Sequence, residues 1–283
     1  MKAGFFPPFF IVGIMKNFAG KKILITGGAS GIGKLMAEKL AGRMATVIIV
    51  DINLEAATVL ANNIKSTGGK AHAVYADLSK IETIKKCRQD IQALGISIDI
   101  LINNAGVVFG GEFEKQPLEK HLLTYKINVD GMVAMTHLFF SDLRSSKDSN
   151  IVNIASASGY IGLPYGTSYA SSKWAVIGFS ESLRLEFIER EIRNIHVTTV
   201  CPSYINTGMF SGVKAPLFLP WLRPEDIVEK IIHGVEKNKA FVREPFMVKW
   251  IDLFKGILPL KIFVAINKFL GVSTSMTNWK GRL

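Results

Sequence analysis

The sequence predicts an α/β fold, a three-layer, doubly wound parallel sheet of about seven strands with a helical C-terminal extension. Two observations carry this prediction. Short apolar runs typical of buried strands alternate with helical patterns of roughly 10–15 residues, as parallel βαβ units require. The first apolar run also leads through a glycine-rich turn directly into a helix. With 283 residues, 48% of them hydrophobic, the chain can build one large domain of this kind.

The first predicted unit joins a strand at residues 23–25 to the turn Thr26-Gly27-Gly28-Ala29-Ser30-Gly31-Ile32-Gly33. Glycines let a backbone approach phosphates closely, and the N-terminus of the following helix faces their charge. Residues 28–34 also fit the P-loop pattern, but Leu35 stands where that motif needs a hydroxyl for Mg²⁺. The turn therefore favours a dinucleotide site over a nucleoside triphosphate site, with an ordinary structural turn as the alternative.

The second predicted strand, residues 45–50, ends in Asp51, which follows Gly33 by eighteen residues. Near this spacing a carboxylate binds the adenosine ribose hydroxyls. It would repel the 2′-phosphate of NADP(H), and no basic residue follows Asp51 directly to hold that phosphate. The sequence therefore favours NAD(H) over NADP(H), unless Asp51 is an ordinary turn residue at the end of a strand.

The later elements place small and polar residues where buried strands end. Asn103 to Gly106 follow the fourth strand, Ser156 the fifth and Pro202 the sixth. Open α/β sheets bind their ligands at these carboxyl ends. Asn128 lies in an apolar helix, where an amide is costly to bury without partners.

The remaining elements follow the same alternating pattern. The predicted strands span 71–77, 98–102, 150–155, 196–200 and 240–243, with helices near 54–65, 169–189 and 224–237.

A phenol and an ammonium, Tyr169 and Lys173, lie four residues apart on the helix after the fifth strand. Residues at this spacing share a helix face, with Cβ atoms roughly 6 Å apart. A tyrosine normally titrates near pH ~10, and a neighbouring cation lowers that pKa. Such a pair can exchange a proton with an alcohol or ketone if a cofactor carries the hydride. The spacing by itself is also common on solvated helix faces.

Composition narrows the class of protein. Two cysteines are too few for a disulfide framework, and the five histidines show no metal-ligand spacing, so no metal site is expected. The net charge is +11, and much of the excess lies at the two ends. Before residue 23 there are four lysines and no acid, and from residue 246 there are six basic residues against Asp252. Because both ends are also apolar, a membrane surface fits better than nucleic acid.

The two ends leave alternatives open. Residues 3–15 carry no charge and contain two prolines, a stretch too short to span a bilayer as a helix. They fit an arm packed on protein, a membrane-surface anchor, or a signal or spanning segment. The pattern of residues 246–270 predicts two amphipathic helices, interrupted near Gly256 and Pro259. These helices fit an interfacial pair, a lid over a pocket or a subunit contact.

In this order the motifs resemble the short-chain dehydrogenase/reductase family, whose catalytic domain is a Rossmann fold. The resemblance covers roughly residues 20–245, and Ser156 precedes Tyr169 by the thirteen residues typical of that family. The matching residues are the turn at 26–33, Asp77, Asn103-Asn104-Ala105-Gly106, Asn128, Ser156 and Tyr169-x-x-x-Lys173. The apolar ends and residues 201–209 are similar to the membrane-associated retinol and 17β-hydroxysteroid dehydrogenase branch.

The resemblance implies a catalytic set of Asn128, Ser156, Tyr169 and Lys173. Tyr169 would be the general acid/base, and Lys173 would lower its pKa and bind the nicotinamide ribose. Ser156 would polarise the substrate oxygen, and Asn128 would hold a water that links Lys173 to a proton relay. Ser203 departs from the family's usual glycine after the proline of the sixth strand.

The resemblance also implies the cofactor contacts. Asp77 would contact the adenine, Asn103 and Gly106 the ribose side, and Thr207 the carboxamide or pyrophosphate. The full expected set is Gly27, Ser30, Gly31, Ile32, Gly33, Asp51, Asp77, Leu78, Asn103, Ala105, Gly106, Tyr169, Lys173, Pro202, Ile205 and Thr207.

We therefore expect an apolar arm at 1–20, a catalytic domain at 21–245 with a substrate loop at 204–223, and a basic amphipathic extension at 246–283. The expected function is hydride transfer between NAD(H) and a hydrophobic alcohol, ketone or aldehyde of retinoid, steroid or lipid type. A 3-oxoacyl thioester reductase using NADPH and an idle dinucleotide-binding scaffold at a lipid surface are the alternatives.

The expected partners are a hydrophobic small molecule and a second copy in a homodimer or homotetramer, with no nucleic acid. The expected location is cytoplasmic with peripheral membrane association.

Overall fold

The computed structural model describes residues 17–217 and 219–281. Residues 1–16, most of the predicted N-terminal arm, lie outside the described residues. Within them the strands are β1 (Lys22–Thr26), β2 (Thr46–Asp51), β3 (Lys70–Tyr75), β4 (Ile100–Asn103), β5 (Ser149–Ile154), β6 (Ile195–Pro202) and β7 (Phe241–Glu244). All of these strands pair in parallel in the order β3-β2-β1-β4-β5-β6-β7, which is the seven-stranded sheet that the sequence predicts.

Helices cover both faces of this sheet. They are α1 (Gly31–Gly42), α2 (Leu54–Ser66), α3 (Ile81–Ala93), α4 (Leu118–Tyr125), α5 (Met132–Leu138), α6 (Phe140–Ser145), α7 (Thr167–Glu189), α8 (Pro224–Glu236), α9 (Ile251–Ile257) and α10 (Leu260–Phe269). Successive strand side chains point to opposite faces. Ile23 and Ile25 of β1 therefore pack with α1, α2 and α8, whereas Leu24 packs with α3, α5 and α7. The predicted three-layer, doubly wound Rossmann fold is confirmed.

Two of the strands, β3 and β6, end two residues away from the predicted position. β3 ends at Tyr75 because Asp77 turns the chain, accepting hydrogen bonds from the backbone N–H and the hydroxyl of Ser79 at 3.0 and 2.7 Å. β6 continues past residue 200 to Pro202 because its last residues pair with β7. Both differences come from contacts that an apolar strand pattern does not encode.

The extension forms the predicted pair of helices, α9 and α10. They are separated at Leu258 and Pro259, whereas Gly256 stays inside α9. Pro259 stands directly before α10 and occupies its N-cap position, where a missing N–H costs no helical hydrogen bond. Among the described residues, no helix is both long and apolar enough to cross a membrane.

After α10, residues 271–281 return to the loop that follows β6. The hydroxyls of Tyr204 and Ser275 lie 2.8 Å apart, and the Trp279 indole N–H donates to the Met209 carbonyl at 3.1 Å. The buried Met276 packs in the same cluster as Tyr204. The end of the described chain is therefore attached to the loop that lies over the carboxyl edge of the sheet.

A buried ion pair joins α3 to α6 on one face of the sheet. Two nitrogens of the Arg88 guanidinium donate to the Asp142 carboxylate at 2.7 and 2.5 Å, and the Ile98 N–H donates to it at 3.0 Å. Asp142→Ala leaves a buried cation and a buried amide without their acceptor. We expect the free energy of unfolding to fall by about 3 kcal/mol, measured by urea denaturation with circular dichroism.

The matched control is Asp90→Ala, which removes the partner of Lys86 on an exposed part of α3. Exposed ion pairs contribute little, so this variant should change the free energy of unfolding by less than about 0.5 kcal/mol. Equal losses in the two variants would contradict the role assigned to Asp142.

Candidate active site

A cleft opens at the carboxyl ends of the central strands. It lies between the glycine turn after β1, the ends of β4, β5 and β6, and the first turns of α7. Its lining residues are Gly27, Ser30, Gly31, Ile32, Asn104, Ala105, Gly106, Ile154, Ala155, Ser156, Tyr169, Lys173, Pro202, Ser203, Ile205, Thr207, Met209 and Phe210. The structure thus gathers eleven of the sixteen predicted cofactor residues around one cavity.

The glycine turn fits a phosphate group. Gly27 and Gly31 have φ values of +61° and +55°, a region that side-chain-bearing residues rarely adopt. A Cβ on Gly27 would lie 2.9 Å from Ala105 Cα, and one on Gly33 would lie 2.2 Å from the Gly27 carbonyl oxygen. The first turn of α1 carries no acid, so its N-terminal N–H groups favour an anion at this edge of the cleft.

Thr26 and Asn104 brace the glycine turn against the end of β4. The Thr26 hydroxyl accepts hydrogen bonds from the N–H groups of Asn104 and Ala105 at 3.0 and 3.1 Å. The Asn104 amide donates to the carbonyls of Thr26 and Gly27 at 2.9 and 3.0 Å. Asn104 lines the cleft although the predicted set omits it. Its place directly after a strand was the signal that could have identified it.

The side chain of Asn103 lies outside the cleft. Its side chain is buried within the sheet, where its amide donates to Asn153 Oδ1 and Thr136 Oγ1 at 2.8 and 3.0 Å. It does not line the cleft, so the structure does not place its side chain at the predicted ribose contact. Asn103 is the last residue of β4, whereas Asn104 belongs to the loop that follows and reaches the cleft.

Asp51 lies at the end of β2, beside the glycine turn. One carboxylate oxygen accepts the Ala29 N–H at 3.0 Å, and the other accepts the Asn53 N–H at 3.0 Å. The carboxylate does not line the cleft itself. It places a negative charge next to the turn, where the expected adenosine ribose contact would be.

Asp77 and Leu78 are also outside the cleft lining. The Asp77 carboxylate is engaged by Ser79 and by Lys80 Nζ, 3.2 Å away. Burial acts to raise the pKa of Asp77, but the Ser79 hydrogen bonds and the Lys80 charge outweigh it and hold the pKa below its usual value. Leu78 packs against Gly131, where an added Cβ would lie 2.7 Å from Leu78 Cβ.

Asn128 is buried in a π-helical turn, Lys126–Gly131, that interrupts the helix between α4 and α5. Its amide oxygen accepts the Val107 N–H at 2.8 Å, and its amide nitrogen donates to the Val107 carbonyl and the Ser172 hydroxyl at 3.0 Å each. Both amide protons are therefore used within the protein. Asn128 connects the loop after β4 to α7, next to Lys173.

Tyr169, Ser156 and Lys173 come together at the base of the cleft. The Ser156 side chain hydrogen-bonds the Tyr169 phenol and accepts the Ser158 N–H and hydroxyl at 3.2 and 2.9 Å. The buried Lys173 ammonium donates to the Ile154 carbonyl at 2.8 Å and lies 5.7 Å from the centroid of the Tyr169 ring.

Burial shifts the two pKa values in opposite directions. It raises the pKa of Tyr169 to about 12, because burial disfavours the phenolate more than the Ser156 hydrogen bond stabilises it. It lowers the pKa of Lys173 to about 8, because burial disfavours the ammonium. The expected lowering of the Tyr169 pKa by Lys173 is therefore not found, and desolvation is the reason.

A smaller, apolar pocket adjoins the cleft. The two cavities share Ser156, Tyr169, Ser203 and Phe210. Phe210 meets the Tyr169 ring edge-on at a centroid distance of 5.8 Å. The rest of the apolar lining includes Ile161, Leu163, Tyr204, Leu219, Ile251 and Val272, so the predicted substrate loop and the extension both contribute to it.

Comparisons with known proteins agree with this geometry. A family model described as short chain dehydrogenase matches residues 21–216, more than half of the chain. Epidermal retinol dehydrogenase 2 of Mus musculus is 34% identical over 260 residues, covering 91% of this chain and 84% of that protein. Estradiol 17-beta-dehydrogenase 11 of Homo sapiens is 29% identical over 270 residues, covering 94% and 89%.

Solved structures match in fold. A short-chain dehydrogenase from Sphingobium yanoikuyae in complex with NADPH has a TM-score of 0.73 and 25% identity, covering 83% of this chain and 92% of that one. A short chain dehydrogenase/reductase from Burkholderia phymatum in complex with NAD has a TM-score of 0.76 and 21% identity, covering 86% and 95%. The second likeness concerns the fold alone. The two matches contain different nicotinamide cofactors, so the fold does not select between them.

The close packing at Gly33 gives a direct test of the cofactor cleft. Gly33→Ala would place a Cβ 2.2 Å from the Gly27 carbonyl oxygen, so the glycine turn would have to move. Overpacking of this kind costs about 1–3 kcal/mol, and we expect affinity for a nicotinamide dinucleotide to fall by about tenfold or more. Titration of NADH fluorescence measures this affinity.

Gly42→Ala is the control, because Gly42 ends the same helix and an added Cβ there meets nothing within 4 Å. Its affinity for NADH should match that of the unmutated protein. Equal affinities for Gly33→Ala and Gly42→Ala would show that the glycine turn does not hold the cofactor.

Proposed function

This chain belongs to the short chain dehydrogenase family, and from that premise we propose that it transfers a hydride between NAD(H) and a hydrophobic alcohol, ketone or aldehyde. The predicted family and its resemblance to the retinol and 17β-hydroxysteroid dehydrogenase branch are confirmed. Proteins of this family are oxidoreductases that bind a nicotinamide dinucleotide. One observation carries the finer proposal: Ser156 and Tyr169 line both the cleft behind the glycine turn and the apolar pocket.

Tyr169 is the proposed proton donor and acceptor at the substrate oxygen. With a pKa of about 12 its phenol holds a proton at neutral pH, so it can donate to a carbonyl oxygen during reduction. Ser156, already hydrogen-bonded to that phenol, orients the same oxygen. The bound dinucleotide supplies or accepts the hydride. Lys173, with a pKa near 8, can hold or release a proton close to neutral pH.

The apolar pocket supports a hydrophobic substrate. Its lining offers few polar groups apart from Ser156, Ser158, Ser203 and the phenols of Tyr169 and Tyr204. Such a pocket buries an apolar body while a few polar groups fix the reacting oxygen. The similarity to a retinol dehydrogenase and an estradiol dehydrogenase supports a retinoid, steroid or lipid-like alcohol.

Asp51 supports NAD(H) over NADP(H). Its carboxylate accepts the Ala29 N–H, so its negative charge is fixed beside the glycine turn. A phosphate on the adenosine ribose would bring further negative charge toward it. Ser30, which lines the cleft, supplies no positive charge to offset this repulsion.

Tyr169→Phe tests the proposed chemistry. Removing the hydroxyl removes the general acid/base, so turnover should fall by about a hundredfold or more, while NADH binding stays nearly unchanged. The assay is a panel of retinol, estradiol, long-chain alcohols and 3-hydroxyacyl thioesters with NAD and with NADP. Tyr75→Phe, at an exposed phenol on β3, is the control and should keep full activity. Undiminished turnover in Tyr169→Phe would exclude the mechanism, and turnover of thioesters alone with NADP would select the reductase alternative.

Asp51→Ala tests the cofactor preference. The unmutated protein should show a higher kcat/KM with NAD than with NADP. Removing one nearby charge should reduce that ratio by about tenfold or more, because such a charge changes binding by more than about 1 kcal/mol. Asp90→Ala, an exposed aspartate on α3, should leave the ratio unchanged. Equal efficiencies with both cofactors in the unmutated protein would refute the role of Asp51.

A further inference from the structure

We propose that the extension docks on the surface of an anionic phospholipid membrane through a tail patch, defined as the exposed apolar side chains of residues 246–269. Docking would place part of the wall of the apolar pocket against the lipid, and the substrate would enter from there. The docking is inferred from the structure of the extension alone, whereas the delivery of substrate rests on the proposed function.

α9 is held to the catalytic domain by its charged residues. The Lys255 ammonium lies 3.6 Å from the centroid of the Trp174 ring and donates to the Tyr160 carbonyl at 3.1 Å. The Asp252 carboxylate lies 3.5 Å from the guanidinium of Arg243. A surface helix normally packs its apolar side on the protein and turns its charges to water. Here two of its charged residues reach toward the domain.

The apolar side chains of the two helices are left outside. Ile257, Leu260 and Phe269 are 69%, 75% and 79% exposed, and no residue of α9 or α10 is buried. Phe246 and Trp250, in the turn before α9, are exposed as well and meet edge-on at 6.2 Å. Aromatic side chains with this placement are typical of the interface between a membrane and water.

Unpaired lysines accompany the tail patch. Lys249, Lys261 and Lys268 are exposed and form no ion pair within residues 17–217 and 219–281. The single acid of the segment, Asp252, faces Arg243. An apolar face with basic residues beside it matches the chemistry of an anionic lipid surface, where the lysines meet headgroups and the apolar side chains enter the interface.

This chemistry argues against two other occupants. A second copy of the chain in an isologous contact would bring the same lysines of both copies together across an apolar interface. A spanning arrangement is excluded by length, because α10, the longer of the two helices, has ten residues and reaches about 15 Å, half the thickness of a hydrocarbon core.

The tail patch and the apolar pocket are built from the same segment. Ile251 of α9 and Val272, just after α10, line the pocket together with Ser156 and Tyr169. The two helices therefore connect the exposed apolar surface to the wall of the pocket. A hydrophobic alcohol dissolved in the lipid could reach the catalytic hydroxyls along this side without crossing water.

A fluorophore on α10 tests the docking in the full-length protein. The native cysteines, Cys87 and Cys201, are fully buried, so Phe269→Cys can be labelled selectively with an environment-sensitive dye. Its emission should shift to the blue with vesicles of phosphatidylserine and phosphatidylcholine. A dye on Leu185→Cys, at an exposed position of α7, should not respond.

Charge variants complete the test. In the Phe269→Cys protein, Lys249→Gln, Lys261→Gln and Lys268→Gln together should raise the anionic lipid concentration needed for half the response by about a hundredfold, about fivefold per lysine. Lys85→Gln, Lys86→Gln and Lys115→Gln change the net charge equally at exposed sites elsewhere, and should have little effect.

Two outcomes would overturn docking. The first is a protein that sediments with anionic vesicles while the dye at position 269 stays unchanged, which would assign binding to another part of the chain. The second is a dye response that grows with protein concentration without lipid, which would show that a second copy covers the patch.

The delivery of substrate from the lipid is tested separately, by enzyme kinetics. Ile257→Ser, Leu260→Ser and Phe269→Ser together should raise KM for a long-chain alcohol held in vesicles and leave kcat and the kinetics with a water-soluble alcohol unchanged. A KM for the vesicle-held alcohol that is the same in this variant and in the unmutated protein would overturn delivery. A full dye response without turnover of any alcohol would overturn the proposed function and leave docking in place.

Discussion

The buried amide of Asn128 is the interaction on which the site depends most. It satisfies both backbone groups of Val107 and donates to Ser172, so one side chain joins the loop after β4 to α7. Gly106 lies against it, where an added Cβ would come 3.2 Å from the Asn128 oxygen. A buried amide with unmet hydrogen bonds is costly, so these partners hold the three segments in one arrangement. Lys173 and Tyr169 take their positions from that arrangement.

Desolvation has the largest effect on the pKa values of Tyr169 and Lys173. Both charged forms are disfavoured by burial, which raises the phenol pKa and lowers the ammonium pKa. The cation favours the phenolate less than its spacing along the helix suggests, because the Lys173 ammonium donates to the Ile154 carbonyl instead of to the phenol. Ser156 provides the hydrogen bond that opposes the effect of burial on Tyr169. The protonation of the Tyr169 hydroxyl therefore depends on Ser156, just after β5, as well as on its burial in α7.

The C-terminal extension packs differently from the helices that cover the sheet. Its last described residues attach to the loop after β6 through Ser275 and Trp279, while α9 contributes Ile251 to the apolar pocket. The same segment leaves its apolar side chains in solvent, which sets it apart from the helices that cover the sheet. The pocket wall and the exposed surface therefore belong to one structural unit, and this supports the proposed entry of substrate from a lipid surface.

The sheet, the glycine turn and the Tyr169–Lys173 pair are predictable from local patterns, namely alternating strand and helix segments, glycines in a turn and i,i+4 spacing. Which of two adjacent asparagines reaches the cleft depends on packing, since Asn103 turns into the sheet and Asn104 toward the glycine turn. Packing also sets the direction of the Tyr169 pKa shift and brings residues 271–281 back to the loop after β6. Burial and long-range contacts depend on how distant segments pack, and no local pattern along the chain records that packing.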